Sequence, residues 1–205
     1  MVEVWLWTQK QDIGPSPREW DAMTYDSEKQ KTLLVGGYSP DLGKMLNDTW
    51  EWEGNFWTQV ADNGPSPRIY HSMIFDSEKK KTLLFGGTDP NNYLNDTWEW
   101  DGTEWTQVAD NGPSLRGLHS MVFDSEKKKA LLFGGTNGHK TWNDTWEWDG
   151  KFWTQRQDMG PQPREMHSMA YDSQRQRTVL FGGFSDSIFR YMGDTWELKI
   201  ETYQE

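Results

Sequence analysis

Cysteine is absent from all 205 residues. That excludes disulfides, thiol nucleophiles and cysteine metal sites, and leaves either redox compartment open. Long apolar runs are absent too: nothing approaches the roughly 18 residues needed for a membrane-spanning helix. Residues 1–7 have neither a basic flank nor an apolar stretch of signal-peptide length. With no export signal or membrane span the compartment stays unspecified, the cytoplasm being the default. Basic residues are the minority, 21 against 32 acidic, for a net charge of −11. This argues against nucleic acid or an anionic membrane as partner. Aliphatic side chains are scarce as well, the whole hydrophobic class reaching only 34%. Low hydrophobicity with high charge is the signature of disorder, but an aromatic content of 15% contradicts it. Fourteen tryptophans are the positive anomaly, so the core must be aromatic. A chain this long buries one sizeable core, and residues 1–205 read as one domain or as an array of small units sharing a core.

Self-similarity with a period of 48 to 50 residues runs from end to end. Gly-Gly recurs at Gly36, Gly86, Gly134 and Gly182; Trp-Thr-Gln begins at Trp7, Trp57, Trp105 and Trp153. Gly-Pro begins at Gly14, Gly64, Gly112 and Gly160, and Asp-Thr-Trp-Glu at Asp48, Asp96, Asp144 and Asp194. Residues 54–101 match residues 102–149 at 35 of 48 positions, which implies recent amplification of one unit or deliberate construction. The units run approximately over 11–60, 61–108, 109–156 and 157–205, behind an N-terminal strand at 3–10.

Each unit holds four short strand-like runs separated by turn chemistry. In the second, residues 72–75 precede the polar turn Asp76-Ser77-Glu78-Lys79-Lys80, and residues 82–85 run into Gly86-Gly87. After a variable loop, residues 96–100 reach Asp101-Gly102, a dipeptide expected in a two-residue hairpin turn with both φ angles positive. Residues 105–108 complete the unit. Four antiparallel strands repeated radially are the pattern of a β-propeller blade. The expected fold is therefore all-β, four blades of four antiparallel strands.

The Gly-Gly at the end of the second strand, the Trp of Asp-Thr-Trp a dozen residues on, and Pro67-Arg68-x-x-His71-Ser72-Met73 together resemble kelch repeats of the kind common in bacterial proteins. The resemblance covers essentially the whole chain. It implies a propeller and says little about function, because kelch propellers range from protein-recognition modules to sugar-active and oxidising enzymes. The copper and cross-linked-tyrosine chemistry of galactose-oxidase-like members needs a cysteine, which this sequence lacks.

The chain opens on a fourth strand and reaches a third near its end. Pairing the two would let the N-terminal strand complete the last blade and remove both exposed edges. Three closures follow: one chain as a four-bladed ring, a homodimer exchanging N-terminal strands to make eight blades, or a piece of a larger ring.

Few residues suggest chemistry. His71, His119 and His167 share one repeat position with Asp21, and three imidazoles with a carboxylate suit a transition metal if they meet at the axis. Blade packing is the competing reading, and no metal or other cofactor is expected. Arg18, Arg68, Arg116 and Arg164 follow each Gly-Pro turn and either grip a carboxylate ligand or pair with the Asp of Asp-Thr-Trp. Glu19 and Glu165 flank the mouth of the ring as an acid–base pair for sugar chemistry or as plain rim residues. No phosphate loop, nucleophile elbow or His-Glu-x-x-His is present, so the reading leans away from an enzyme.

If shared residues are scaffold, specificity lies where the repeats differ. Of the 13 differences between the two closest units, six fall at 89–94 against 137–142, and three at 67, 69 and 70 against 115, 117 and 118. Both stretches emerge on one face of the disc. That face is expected to carry Trp20, Tyr70, Tyr93 and Trp142, with Phe189 and Tyr191, beside Arg190, His139, Glu19 and Glu165. Aromatic and arginine anchors favour recognition of a protein or peptide, and aromatic rings stack equally on carbohydrate. The expected function is a non-catalytic binding module, the alternatives being a sugar-binding or sugar-active enzyme and a scaffold without a ligand of its own.

Overall fold

A computed structural model of the chain describes residues 3–10 and 13–201. These form strands and turns and no helix, in four successive antiparallel blades plus two two-stranded ribbons, Tyr38–Ser39 with Lys44–Met45 and Phe184–Ser185 with Arg190–Tyr191. The first blade is Ala22–Asp26, Lys31–Val35, Thr49–Trp52 and Trp57–Ala61; the second is Ser72–Asp76, Lys81–Phe85, Thr97–Trp100 and Trp105–Ala109. The third is Ser120–Asp124, Lys129–Phe133, Thr145–Trp148 and Trp153–Gln157. The fourth has three strands, Ser168–Asp172, Arg177–Phe181 and Thr195–Leu198. The expected closing strand is not formed: residues 3–10 carry no strand and lie exposed.

Turn chemistry sets each hairpin. Asp76 Oδ1 accepts hydrogen bonds from the backbone N–H of Glu78 and Lys79, each at 2.9 Å, so the side chain caps the turn that its sequence announces. The Asp101-Gly102 hairpin differs from expectation. It is a four-residue connection, 101–104, between Trp100 and Trp105; Gly102 alone is left-handed (φ 97°), and Asp101 Oδ1 accepts from Thr103 and Glu104 N–H. An Asp that can cap backbone donors makes the looser turn self-sufficient.

The core lies between blades. Leu33 and Val35 of the first blade pack with Met73, Leu84, Trp100 and Trp105 of the second. Ile74, Leu83 and Phe85 of the second pack with Met121, Leu132, Trp148 and Trp153 of the third. Trp105 and Trp153 reach across these seams, and their indole N–H groups donate to the hydroxyls of Thr49 and Thr97 of the preceding blade, both at 2.9 Å. Large rings thus replace the missing aliphatics and still satisfy their polar atom.

From the second unit on, one residue per unit fastens neighbouring blades. The backbone of Arg116 donates to Leu94 O at 2.9 Å and accepts from Gly87 N–H at 2.9 Å, both in the second blade. Its side chain turns into its own blade, holding Asp144 with both terminal nitrogens at 2.6 and 2.9 Å and donating to Gly134 O. Asp144 also accepts from the Trp146 indole at 2.7 Å. Arg68 and Arg164 repeat this arrangement with Asp96 and Asp194. Gly87 must be glycine here: its φ is 94°, and a Cβ would stand 2.6 Å from Ile69 O.

The arc is open. No bond of the Gly87–Arg116 kind joins Gly183 to Arg18, and none joins Met192 O to Arg18 N–H. Phe181 is 56% exposed where its counterpart Phe85 is fully buried, and Met23 is 53% exposed where Met73 is buried. The four-bladed ring closed on itself is therefore not what this structure holds.

Removing a buried, doubly bonded cation strands its partner, so Arg116→Ala is expected to lose about 3–5 kcal/mol. Lys128→Ala, which opens the exposed Lys128–Glu78 pair, is expected to lose less than about 1 kcal/mol. Urea unfolding of both variants checks the contrast.

Candidate functional site

Each blade sends its second-to-third-strand loop and its crossover to one end of the array. Isolated bridges join them there: Glu19 with Tyr38, Ile69 with Thr88, Gly117 with Thr136 and Glu165 with Phe184. The next residue of each crossover, Trp20, Tyr70, Leu118 and Met166, is left-handed, with φ between 56° and 60°. Bulky residues pay about 1–3 kcal/mol each for that conformation. Bonds between blades hold it: Tyr70 N–H donates to Trp20 O, Leu118 N–H to Tyr70 O and Met166 N–H to Leu118 O. The result is a row of side chains along the mouth, one per blade.

Aromatic rings gather over this row. Trp20 lies 5.1 Å from Tyr70 and 6.2 Å from Tyr38, centroid to centroid. Gly117 leaves room beside them, since a Cβ there would stand 3.0 Å from Tyr70 Cβ and 3.4 Å from Tyr93 Cε1. Phe189 and Tyr191, both strongly exposed, pack against Phe184, Phe189 edge-on at 5.9 Å and Tyr191 tilted at 5.1 Å. Carboxylates charge the same surface. Burial and the fields of Glu19 and Glu165 raise the Tyr70 phenol; burial, then Glu165, Tyr70 and Asp186, raise Tyr93. Burial, reinforced by Asp186, also lifts Glu165 above the usual carboxylate range. Glu19, Glu165, Tyr70 and Tyr93 thus share one acidic aromatic face. Arg190 and His139 stand exposed in the loops behind it.

Trp142 departs from the expected arrangement. It is buried at 8% exposure, with the Arg116 guanidinium 4.4 Å above its ring. Its N–H donates to Gly135 O and its C=O accepts from Arg164 N–H, the bonds that Leu46 and Leu94 make in their units. Trp142 is the repeat's scaffold leucine enlarged, a match legible in its place before Asn143-Asp144. Tyr38, Phe184 and Asp186, by contrast, join the face without having been singled out. The signal for Tyr38 and Phe184 is the position after Gly-Gly, aromatic in the outer units and Thr88 or Thr136 in the inner ones.

The histidines do not gather as metal ligands. Among the described residues no three His, Asp or Glu side chains come together around one point. His71, His119 and His167 are buried; His119 stands edge-on to Phe85 and His167 to Phe133, both at 5.4 Å. Asp21 is part-buried, and its loss of solvent raises its carboxyl. The guanidinium groups that a carboxylate ligand would need are already spent on Asp48, Asp96, Asp144 and Asp194.

Burial first, then the neighbouring arginine, pushes His71 down to about 3 and His167 to about 4. An unfolded histidine titrates near 6.5. Between pH 6.5 and 4 the unfolded chain therefore binds more protons than the folded one, so stability falls as pH falls through this window. The expected thermal midpoint drops steadily there, before the arginine-bound carboxylates protonate, and His71→Phe flattens the slope. Trp142→Ala, which empties a core position, is expected to lose about 3–5 kcal/mol, whereas Trp20→Ala changes the midpoint little; calorimetry separates the two.

None of the curated proteins compared with the chain matches it. The family model of the KLHDC2/KLHL20/DRC7 Kelch-repeats domain matches residues 27–204. With the blade architecture, the Gly-Gly strand ends and the arginine–aspartate–tryptophan seams, that match places this chain in the kelch-repeat family.

Proposed function

We propose that the chain is a non-catalytic protein-recognition module whose mouth face takes a peptide carrying basic side chains. The observation that carries this reading is the convergence of Trp20, Tyr70 and Tyr93 with Glu19, Glu165 and Asp186. An ammonium or guanidinium over an electron-rich ring within a negative field gains both cation–π and Coulomb energy, of order 1–2 kcal/mol once water is displaced. The rigid inter-blade bonding of the mouth row lowers the ordering cost of binding, since Trp20, Tyr70, Leu118 and Met166 are already fixed in place. Kelch propellers generally serve as protein-interaction modules, which agrees with this reading.

Titration against peptides of matched length and opposite charge tests it. Basic peptides are expected to bind and acidic ones not, with affinity falling as salt rises. Tyr70→Ala and Glu165→Gln should each weaken binding about tenfold, a loss of about 1.4 kcal/mol, with the thermal midpoint of Tyr70→Ala nearly unchanged. Equal binding of acidic peptides, or full affinity in both variants, would sink the proposal.

A further inference from the structure

Every outer-strand tryptophan sits in the same seat. Gly14 faces the Trp57 ring, Gly64 the Trp105 ring and Gly112 the Trp153 ring, each so close that a Cβ on the glycine would meet the indole at 2.9 Å or less. The far wall is the threonine of the preceding blade, Thr49 for Trp105 and Thr97 for Trp153. Continued by one unit, the pattern makes Gly160 and Thr145 the next seat. Nothing stands within 4 Å of a Cβ on Gly160. A cavity of about 400 Å³ opens there, lined by Thr145, Gly160, Pro161, Trp196 and Leu198 among others. It follows the free edge of Thr195–Leu198 in the three-stranded fourth blade.

One Trp-Thr-Gln in the described chain has no seat. Trp7 is fully exposed and its flanking residues nearly so. The spacing from Gln9 to Gly14 equals that from Gln59 to Gly64 and from Gln107 to Gly112. A strand on that tether belongs to the blade directly before the first. The fourth blade of the same chain does not stand there: the seam bonds between them are missing, and Phe181, Thr195 and Met23 face solvent.

We infer that the missing neighbour is a second copy of this chain. Residues 4–9 of each copy then form the outer strand of the other's fourth blade, and each Trp7 indole donates to the partner's Thr145 hydroxyl. The end faces match as the internal seams do, Phe181 and Thr195 meeting the partner's Met23 and the partner's Trp57 as Phe85 and Thr97 meet Met121 and Trp153. Charges agree as well. The internal seams pair Glu28 with Lys80 and Glu78 with Lys128; at the same register the new seam sets Gln174 against the partner's Gln30, so neither side leaves a lone charge. Two arcs give eight blades, within the usual four to eight of propellers, whereas three would give twelve. Head-to-tail contacts that close leave no edge for further growth.

Native mass spectrometry and light scattering of the full chain should give about 48 kDa at micromolar concentration, twice the 24.1 kDa of one chain. Trp7→Ala should return it to one chain with unchanged far-ultraviolet circular dichroism, because Trp7 makes no contact in the isolated arc. Gly160→Val, which fills the seat, should do the same. Because the chain has no cysteine, a cross-link is unambiguous: a Thr8→Cys chain mixed with a Glu197→Cys chain under oxidised glutathione should form a disulfide-linked pair on a non-reducing gel. A single-chain mass at all concentrations, a series of masses beyond two copies, or a disulfide closed within one doubly substituted chain would each overturn the inference.

Discussion

The arginine after each Gly-Pro turn is the constraint on which the rest depends. From the second blade on, its main chain belongs to the seam with the preceding blade, and its side chain belongs to its own blade. No second residue type does both: lysine offers a point charge where the site needs a planar fork reaching an aspartate with two nitrogens and a glycine carbonyl with one of them. The aspartate is fixed in turn by the indole two residues on. Burial favours the neutral carboxyl, but the hydrogen bonds from Arg68 and Trp98 outweigh it and hold Asp96 below the usual carboxylate range. Asp-Thr-Trp is therefore one unit of chemistry: a counter-ion, a hydroxyl for the next blade's indole, and an indole for the counter-ion.

That economy explains how 34% hydrophobic residues make a core. Each seam is a wall of rings in which the indoles of Trp98 and Trp146 bond to aspartates and those of Trp105 and Trp153 to threonines, so these large side chains are buried or half-buried with their donors satisfied. The histidines belong to this wall. Held neutral, His119 and His167 against phenylalanine rings and His71 beside Val35, they act as aromatic spacers that also respond to acid.

Blade order, strand order and the roles of the repeated arginines and tryptophans were legible in the sequence, because each repeats four times and a period is a strong signal. The openness of the arc was not, since a repeat unit says nothing about the angle between successive units. Trp142 misled for the opposite reason: a unique residue in a variable loop suggests recognition, yet its backbone occupies the position of Leu46 and Leu94, and only its size is new. The Asp101-Gly102 turn misled because the dipeptide rule concerns two-residue loops, and Asp101 caps a longer one with its own oxygen. The mouth face was partly legible. Tyr70 and Tyr93 stood out by differing between near-identical units, but their meeting depends on Gly117, whose contribution is the absence of a side chain.

The row of left-handed residues at the mouth is also a chain of bonds, one link per blade, from Trp20 through Tyr70 and Leu118 to Met166. Cohesion of this kind is strictly between neighbours, as in a one-dimensional lattice. Within a single chain the second and third blades are held on both sides and the first and fourth on one. In that arc local opening follows blade order rather than depth of burial, beginning at the end blades. Each blade that opens leaves behind an end of the same kind, so an isolated arc comes apart the way a zipper does, whereas a closed ring offers no end at which to begin.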